Sequence, residues 1–325
     1  MAYSPRVLSG MRPTGALHLG HYHGVLLNWL KLQAEYDCFF FVADWHALTD
    51  KLDTAEIARY TQEIVRDWLA AGIDPERSTI FVQSDVPAHA ELHLLLSMVT
   101  PLAWVERCPT FKDKTKDLKA ENISYGLLGY PVLQTADIVL YKATDVPIGE
   151  DQLAHLELAR EVVRRFNFLF KPVFPEPKPI LSRSPKLLGL DGRKMSKSYD
   201  NAIYLSEDPL SARKKILAMF TDPQRLYRKD KGRPDVCNVF SYQALYNLEK
   251  AKEIERQCVA AERGCQECKK ELSTLIEKFL VDFQKKREAF KDESLIRDIL
   301  KKGSLRARAE AEGTMAEVRK AIRFI

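Results

Sequence analysis

A doubly wound α/β fold, with a parallel sheet in residues 1–200 and an all-helical part in 201–325, is predicted by three features of the sequence. Short apolar runs alternate with helix-patterned stretches from Arg6 to Gln83. A proline-rich stretch and a Gly-rich basic loop then interrupt the chain, and beyond residue 205 apolar positions recur at helical spacing. The 325 residues suit two domains of roughly 100–200 residues each.

Taken in order, Arg6-Val7-Leu8-Ser9-Gly10 is a first strand, followed by a helix from about Leu19. Cys38-Phe39-Phe40-Phe41-Val42-Ala43 is a second, followed by a helix from about Thr54 to Ala71, and Thr79-Ile80-Phe81-Val82-Gln83 is a third. Nearly continuous apolar runs are the mark of strands buried on both faces, as in parallel sheets. Ligands of such sheets bind beyond the C-terminal strand ends. Two of the runs end there in polar residues, Ser9-Gly10 and Ala43-Asp44-Trp45-His46. Pro172 to Pro185 holds five prolines and separates this region from the loop at 189–198. Amphipathic helices are expected at about 207–220, 241–262, 266–290 and 306–322, with no internal repeat and no low-complexity tract.

Apolar residues make up 46% and charged residues 29%, enough for a sizeable core and against wholesale disorder. No apolar run approaches the roughly 20 residues that span a bilayer, and the start carries no signal-peptide pattern, so a cytoplasmic protein without membrane contact is expected. Charge is unevenly divided: residues 1–200 hold 23 Lys/Arg against 25 Asp/Glu, and 201–325 hold 27 against 20. A polyanionic partner would lean on the C-terminal part. The six cysteines are expected to be free, metal-binding or catalytic rather than disulfide-bonded, and Cys237, Cys258, Cys265 and Cys268 fall close together.

The chemistry concentrates in two segments. The turn from Gly10 to Gly24 leaves the first strand and enters a helix, whose N-terminal N–H groups and dipole suit an anion. His18 and His21, three residues apart, would project from one helical face toward a phosphate, and Gly20 would let a nucleoside pack against backbone. A solvated His-rich loop or a chance metal cluster is the alternative for histidines taken alone. The second segment, Gly189-Leu190-Asp191-Gly192-Arg193-Lys194-Met195-Ser196-Lys197-Ser198, has the composition of a loop that closes over a triphosphate. No G-x-x-x-x-G-K-[ST] or G-x-G-x-x-G occurs, which removes the main support for a P-loop NTPase or an ordinary dinucleotide dehydrogenase.

His18-Leu19-Gly20-His21 and Lys194-Met195-Ser196-Lys197-Ser198, in that order and about 170 residues apart, resemble the two signatures of class I aminoacyl-tRNA synthetases. Gly129-Tyr130-Pro131-Val132-Leu133-Gln134-Thr135-Ala136-Asp137-Ile138 and Val146-Pro147-Ile148-Gly149-Glu150-Asp151-Gln152 resemble the bacterial-type tryptophanyl-tRNA synthetase subgroup, as do Ala43-Asp44-Trp45-His46-Ala47 and Phe111-Lys112-Asp113-Lys114. The resemblance covers essentially the whole chain. It implies a Rossmann-like catalytic domain, a helical anticodon-binding domain, a homodimer, and the substrates L-tryptophan, ATP with Mg2+ and tRNA(Trp).

The resemblance also implies site residues. Asp137 would accept the indole N–H, the one polar handle of the ring. Tyr130, Gln134 and Gln152 would hold the ammonium and carboxylate, and Leu8, His46, Val146 and Ile148 would line the ring pocket. Gly149-Glu150-Asp151 would hold the ribose and Leu187 the adenine, while Arg12, Pro13, Thr14, Lys112 and Lys114 would lie beside the phosphates. His18, His21, Lys194 and Lys197 would be catalytic, with Gly20, Met195, Ser196 and Ser198 also in contact with ATP. Tyrosyl-tRNA synthetase, with similar fold and motifs, is the alternative; a non-catalytic nucleotide- or RNA-binding paralogue is another.

Four thiolates bind zinc or an iron–sulfur cluster, and spacing alone does not choose between them. The set at Cys237, Cys258, Cys265 and Cys268 resembles the pattern that holds a 4Fe-4S cluster in a subset of tryptophanyl-tRNA synthetases, with a somewhat shorter first gap. Without a metal the same cysteines would serve as small buried apolar residues. Arg263, Lys269 and Lys270 suit a tRNA phosphate surface.

Overall fold

Five parallel strands, β1 (Arg6–Met11), β2 (Asp37–Val42), β3 (Ser78–Val82), β4 (Asp145–Ile148) and β5 (Lys178–Leu181), form one sheet in the order β3-β2-β1-β4-β5. The structure is a computed structural model that describes residues 5–115, 123–181, 187–193, 195 and 199–323, and of Thr110, Asp113 and Lys114 the backbone alone. The chain winds outward from β1 to β3 and then returns to the other side of β1, which makes the β1/β4 junction the switch point where such sheets bind ligands. β1 pairs with β2 from Arg6 to Met11 but meets β4 only at Val7 opposite Asp145. Beyond Val7 these two strands part and leave a crevice. Pro147 lies there, where its missing N–H costs no bond to β1, and Pro179 sits on the edge strand, which tolerates proline.

The three apolar runs are the strands β1 to β3. Strand periodicity sends alternate residues to opposite faces. On one face Phe40 stacks on Trp29 at 4.2 Å, with Trp68 edge-on to Trp29 at 5.0 Å; on the other Phe39 stacks on Tyr141 at 4.8 Å. Trp68 comes from the helix Thr54–Ala71, which Asp53 caps by accepting the Glu56 N–H at 3.1 Å and which ends at Gly72 with φ 110°.

The C-terminal part is helical, with helices at Pro209–Ala218, Asn238–Tyr246, Ala251–Val259, Cys265–Glu288 and Glu293–Ile322. The helix expected over 241–262 is two helices, because Asn247 leaves the helical conformation and its amide Nδ2 donates back to Gln243 Oε1 at 3.1 Å. The last helix starts earlier than expected, at an Asp292 cap, and runs through Gly303. That glycine marks a close approach: a Cβ there would stand 1.8 Å from the Ile80 carbonyl oxygen of β3. Hydrophobic packing does not stop at residue 200. Leu272, Ile276, Leu280 and Phe283 join the Phe40 side of the sheet, and Ala307, Ala311, Met315 and Val318 the Phe39 side.

Gly303→Ala is therefore expected to destabilise the protein by about 1–3 kcal/mol despite alanine's higher helix propensity, since the obstacle is backbone and cannot rotate away. Urea unfolding checks this, and an unchanged or higher midpoint would show that the helix is free to shift. Among the described residues no helix is long and apolar enough to cross a membrane.

Candidate active site

The chain leaves β1 at Met11, makes a turn and enters a short α-helical segment, Leu19–His21, that continues as π-helix over Tyr22–Leu26 and α-helix over Leu27–Glu35. Single π turns inside helices often accompany functional sites. The His18 and His21 rings lie 3.8 Å apart, and the His18 backbone N–H donates to His21 Nδ1 at 3.2 Å. A Cβ on Gly20 would stand 2.9 Å from the His18 ring and 3.6 Å from Met195 Sδ. Met195 thus packs directly on the His18–His21 turn. The chain beyond it is zipped to the same turn, with Leu19 N–H donating to Ile203 O at 3.0 Å and Leu205 N–H to Leu17 O at 2.9 Å. His23 serves the fold instead: its Nε2 lies 2.8 Å from Tyr246 Oη, and burial lowers its pKa to about 4, so it is neutral.

The second signature loop is moored from two sides. Asp191 accepts from Asn201 Nδ2 at 2.7 Å and from Arg193 N and Nε at 3.0 and 2.7 Å, bonds that overcome partial desolvation and lower its pKa to about 2. Tyr242 Oη donates to Leu188 O at 2.6 Å and the buried Asn238 Nδ2 to Gly189 O at 2.5 Å. Lys194, Ser196, Lys197 and Ser198 lie outside the described residues, as does the Lys114 side chain; Lys112 is exposed.

A cavity of about 420 Å³ opens between the C-terminal ends of β1 and β4. All eight residues expected around tryptophan line it: Leu8, His46, Tyr130, Gln134, Asp137, Val146, Ile148 and Gln152. Arg12, His21 and Gly149 from the ATP set line it too. Among the others expected at ATP, Pro13, Thr14, His18, Gly20, Glu150, Asp151, Leu187 and Met195 are not in its wall. Of these, His18, Gly20 and Met195 adjoin it through the contacts just given, whereas Leu187 is buried in the core with Leu17 and Leu19. Glu150 and Asp151 form the 3-10 turn that follows Gly149. Arg12 is ion-paired with Asp50.

Asp137 is carried on the helix Tyr125–Leu140, which Ser124 caps and which contains Pro131. Asp137 does not stand alone in an apolar slot but within a polar network. Asp137 is 1% exposed, with Oδ1 at 2.7 Å from both Gln83 Nε2 and His89 Nδ1, and Oδ2 at 2.7 Å from His46 Nε2. His46, expected as ring-pocket lining, is also one of the carboxylate's partners. His89 Nε2 continues the chain to Tyr141 Oη at 2.8 Å. Burial by itself would raise the Asp137 pKa, but His46 and His89 outweigh it and hold the group far below the ordinary carboxylate range. It is therefore an anion at neutral pH. With two partners on Oδ1 and one on Oδ2, the carboxylate keeps acceptor capacity on Oδ2. The sequence reading missed Gln83, His89 and Tyr141; Gln83, directly after the third strand, stood where such sheets place functional residues.

The four C-terminal cysteines line one small void of about 20 Å³, as do Arg225 and Arg263. Arg225 Nη1 donates to Cys258 Sγ at 3.6 Å and to Cys265 Sγ at 3.9 Å, and Gln243 Nε2 to Cys268 Sγ at 3.6 Å. Burial raises the Cys237, Cys258 and Cys268 thiols, with Arg225 opposing it at Cys258 and Arg263 at Cys268. Among the described residues no group of three or more His, Cys, Asp or Glu side chains is arranged to hold a metal ion. Two of the cations expected on a phosphate surface are otherwise engaged: Arg263 is paired with Glu271 and Lys269 is buried, while Lys270 is exposed.

Comparison with known proteins agrees with this fold. The family model for tRNA synthetases class I (W and Y) matches residues 2–281. A tryptophan–tRNA ligase of Thermotoga maritima is 48% identical over 98% of this chain and 99% of its own, and one of Aquifex aeolicus is 42% identical with the same coverage. The crystal structure of tryptophanyl-tRNA synthetase from Campylobacter jejuni, complexed with ADP and tryptophan, superposes with a TM-score of 0.87 at 32% identity, covering 98% of this chain and 100% of that one. A tyrosyl-tRNA synthetase from Archaeoglobus fulgidus, at 22% identity and a TM-score of 0.70 over 87% of this chain and 90% of its own, shares the fold. The chain belongs to the class I tRNA synthetases and, within them, to the tryptophanyl-tRNA synthetases.

Proposed function

We propose that this chain activates L-tryptophan with ATP and transfers it to tRNA(Trp), the reaction of a tryptophan–tRNA ligase. The observation that carries the reading is Asp137, a buried anion in the wall of a cavity at the β1/β4 switch point, beside a turn on which the second signature loop packs. Asp137 Oδ2 accepts the indole N–H, and Leu8, Val146 and Ile148 cover the ring. Tyr130, Gln134 and Gln152 hold the amino acid's head group, and the Gly149-Glu150-Asp151 turn holds the ribose.

The substrate's own carboxylate attacks the α-phosphate of ATP in line, forming a new C(O)–O–P bond as the bond to Mg2+-bound pyrophosphate breaks. No side chain acts as nucleophile. His18 and His21 donate toward the α-phosphate, and Lys194 and Lys197 neutralise the departing pyrophosphate, so catalysis is positioning and charge stabilisation. The tRNA terminal hydroxyl then displaces AMP from the adenylate, with the helical part, residues 201–325, toward the anticodon. This chemistry has its place in the cytoplasm.

ATP–pyrophosphate exchange tests the reading: tryptophan supports exchange and tyrosine does not. Exchange with tyrosine alone would move the chain to the tyrosyl branch, and none with either would leave a non-catalytic paralogue.

We also infer that Cys237, Cys258, Cys265 and Cys268 hold a 4Fe-4S cluster, supported by four thiols converging on one void with two guanidinium groups beside it. Four thiolates are the ligand type such a cluster takes, although the four side chains must draw together and the void widen to admit it. Such a cluster would brace the helical part rather than take part in the reaction. Anaerobically purified protein should be brown and contain iron; a colourless, iron-free protein, or one containing zinc, contradicts this. A homodimer is supported by exposed Leu94, Met98 and Leu102 together with Phe168 and Leu169, whose helix is joined to the Met98 helix by Arg165 Nε donating to Val99 O at 2.5 Å. Light scattering should give twice the chain mass, and a monomeric mass would exclude it.

A further inference from the structure

In the wall of the cavity lies a polar group that the reaction as described does not use. His155, on the helix Leu153–Leu169, is 3% exposed, and its Nε2 stands 2.6 Å from Tyr130 Oη and 3.2 Å from Cys108 Sγ. Its Nδ1 is buried without a hydrogen-bond partner among the described residues. We propose that His155 is a positioning residue for the amino acid's head group: it fixes the direction of the Tyr130 hydroxyl, and Cys108 braces it from the other side. This rests on the assignment of the cavity to tryptophan.

Burial lowers the His155 pKa, with Asp151 pulling the other way, so the ring is neutral. Its Nε2 shares one short hydrogen bond with Tyr130 Oη, and Cys108 Sγ flanks the same nitrogen. In either tautomer that bond fixes the torsion of the phenolic hydroxyl, whereas a freely rotating one has to be ordered on each binding event.

Cys108 extends the arrangement to a second element. Its carbonyl accepts the Lys112 N–H at 3.2 Å at the start of the helix Pro109–Thr115, the segment that carries Lys112 and Lys114. The thiol thus ties the base of the lysine-bearing helix to the residue that orients Tyr130. Neither His155 nor Cys108 needs to touch a reacting atom.

A double-mutant cycle read by tryptophan-dependent pyrophosphate exchange tests this, using wild type, H155F, Y130F and the pair. H155F should raise the KM for tryptophan about tenfold, the size of one lost hydrogen bond, with the KM for ATP unchanged. In the Y130F background the same substitution should add nothing, because His155 acts through the Tyr130 oxygen. H155Q, which keeps an N–H donor, should recover most of the loss, and C108A should give a smaller rise than H155F. Additive losses, an equal rise in the ATP KM, or no rescue by glutamine would overturn the proposal. If H155F does not fold, a tryptophan KM near wild type for H155Q together with a small rise for C108A supports it, and a tenfold rise for H155Q or an unchanged KM for C108A overturns it. Failure of the wild type to exchange with tryptophan would instead count against the function assigned to the cavity.

Discussion

Asp137→Ala should lose tryptophan binding and a substantial part of the fold's stability together. The substitution strands Gln83 Nε2, His89 Nδ1 and His46 Nε2, all within 2.7 Å of the missing oxygens. Breaking a buried polar network by removing its charged member costs about 3–5 kcal/mol, which urea unfolding would read directly. Tryptophan affinity should fall by about 100-fold, from the lost N–H acceptor and from a pocket wall that no longer holds its shape. ATP affinity should stay nearly intact, since the phosphate-facing turn is built on Leu17, Leu19 and Ile203, away from the carboxylate. Asp137→Asn separates the two effects: it keeps the volume and most of the stability but turns a donor toward donors. Unchanged tryptophan affinity in a folded Asp137 variant would contradict the pocket assignment.

Lys197→Ala should act on the chemical step. The lysine belongs to the loop in which Met195 packs on Gly20 and whose base is held by Asn238 and Tyr242, and its proposed role is to neutralise the leaving pyrophosphate. A donor that meets charge developing only in the transition state is worth about 100-fold to 1,000-fold in rate. Single-turnover adenylate formation should slow by that factor with tryptophan affinity unchanged. An equal loss in both would remove Lys197 from this role.

The sequence made the sheet's centre legible because β1 to β3 are near-continuous apolar runs, the pattern of strands buried on both faces. Strands β4 and β5 were not read as strands, since Pro147 and Pro179 break the apolar pattern; the crevice beside β1 and the sheet edge are the places that accept them. The last helix begins before the expected residue 306 and includes Gly303, which fits there because it lies against the Ile80 backbone. Around the cavity, the residues that the family resemblance pointed to lie in the wall, whereas Gln83 and His89, which reach Asp137 from other elements, were not read from the sequence. Gln83, His89 and Cys108 belong to no motif, and each acquires its meaning only from a partner 47 to 54 positions away in sequence.

The central claim is that one cavity holds the indole against Asp137 while two distant segments meet over the nucleotide. A crystal structure with tryptophan and a non-hydrolysable ATP analogue tests it most directly. It should show the indole nitrogen about 3 Å from Asp137 Oδ2, with the triphosphate between the His18–His21 turn and Lys194 and Lys197. An indole bound elsewhere, or a triphosphate out of reach of either segment, would contradict the account.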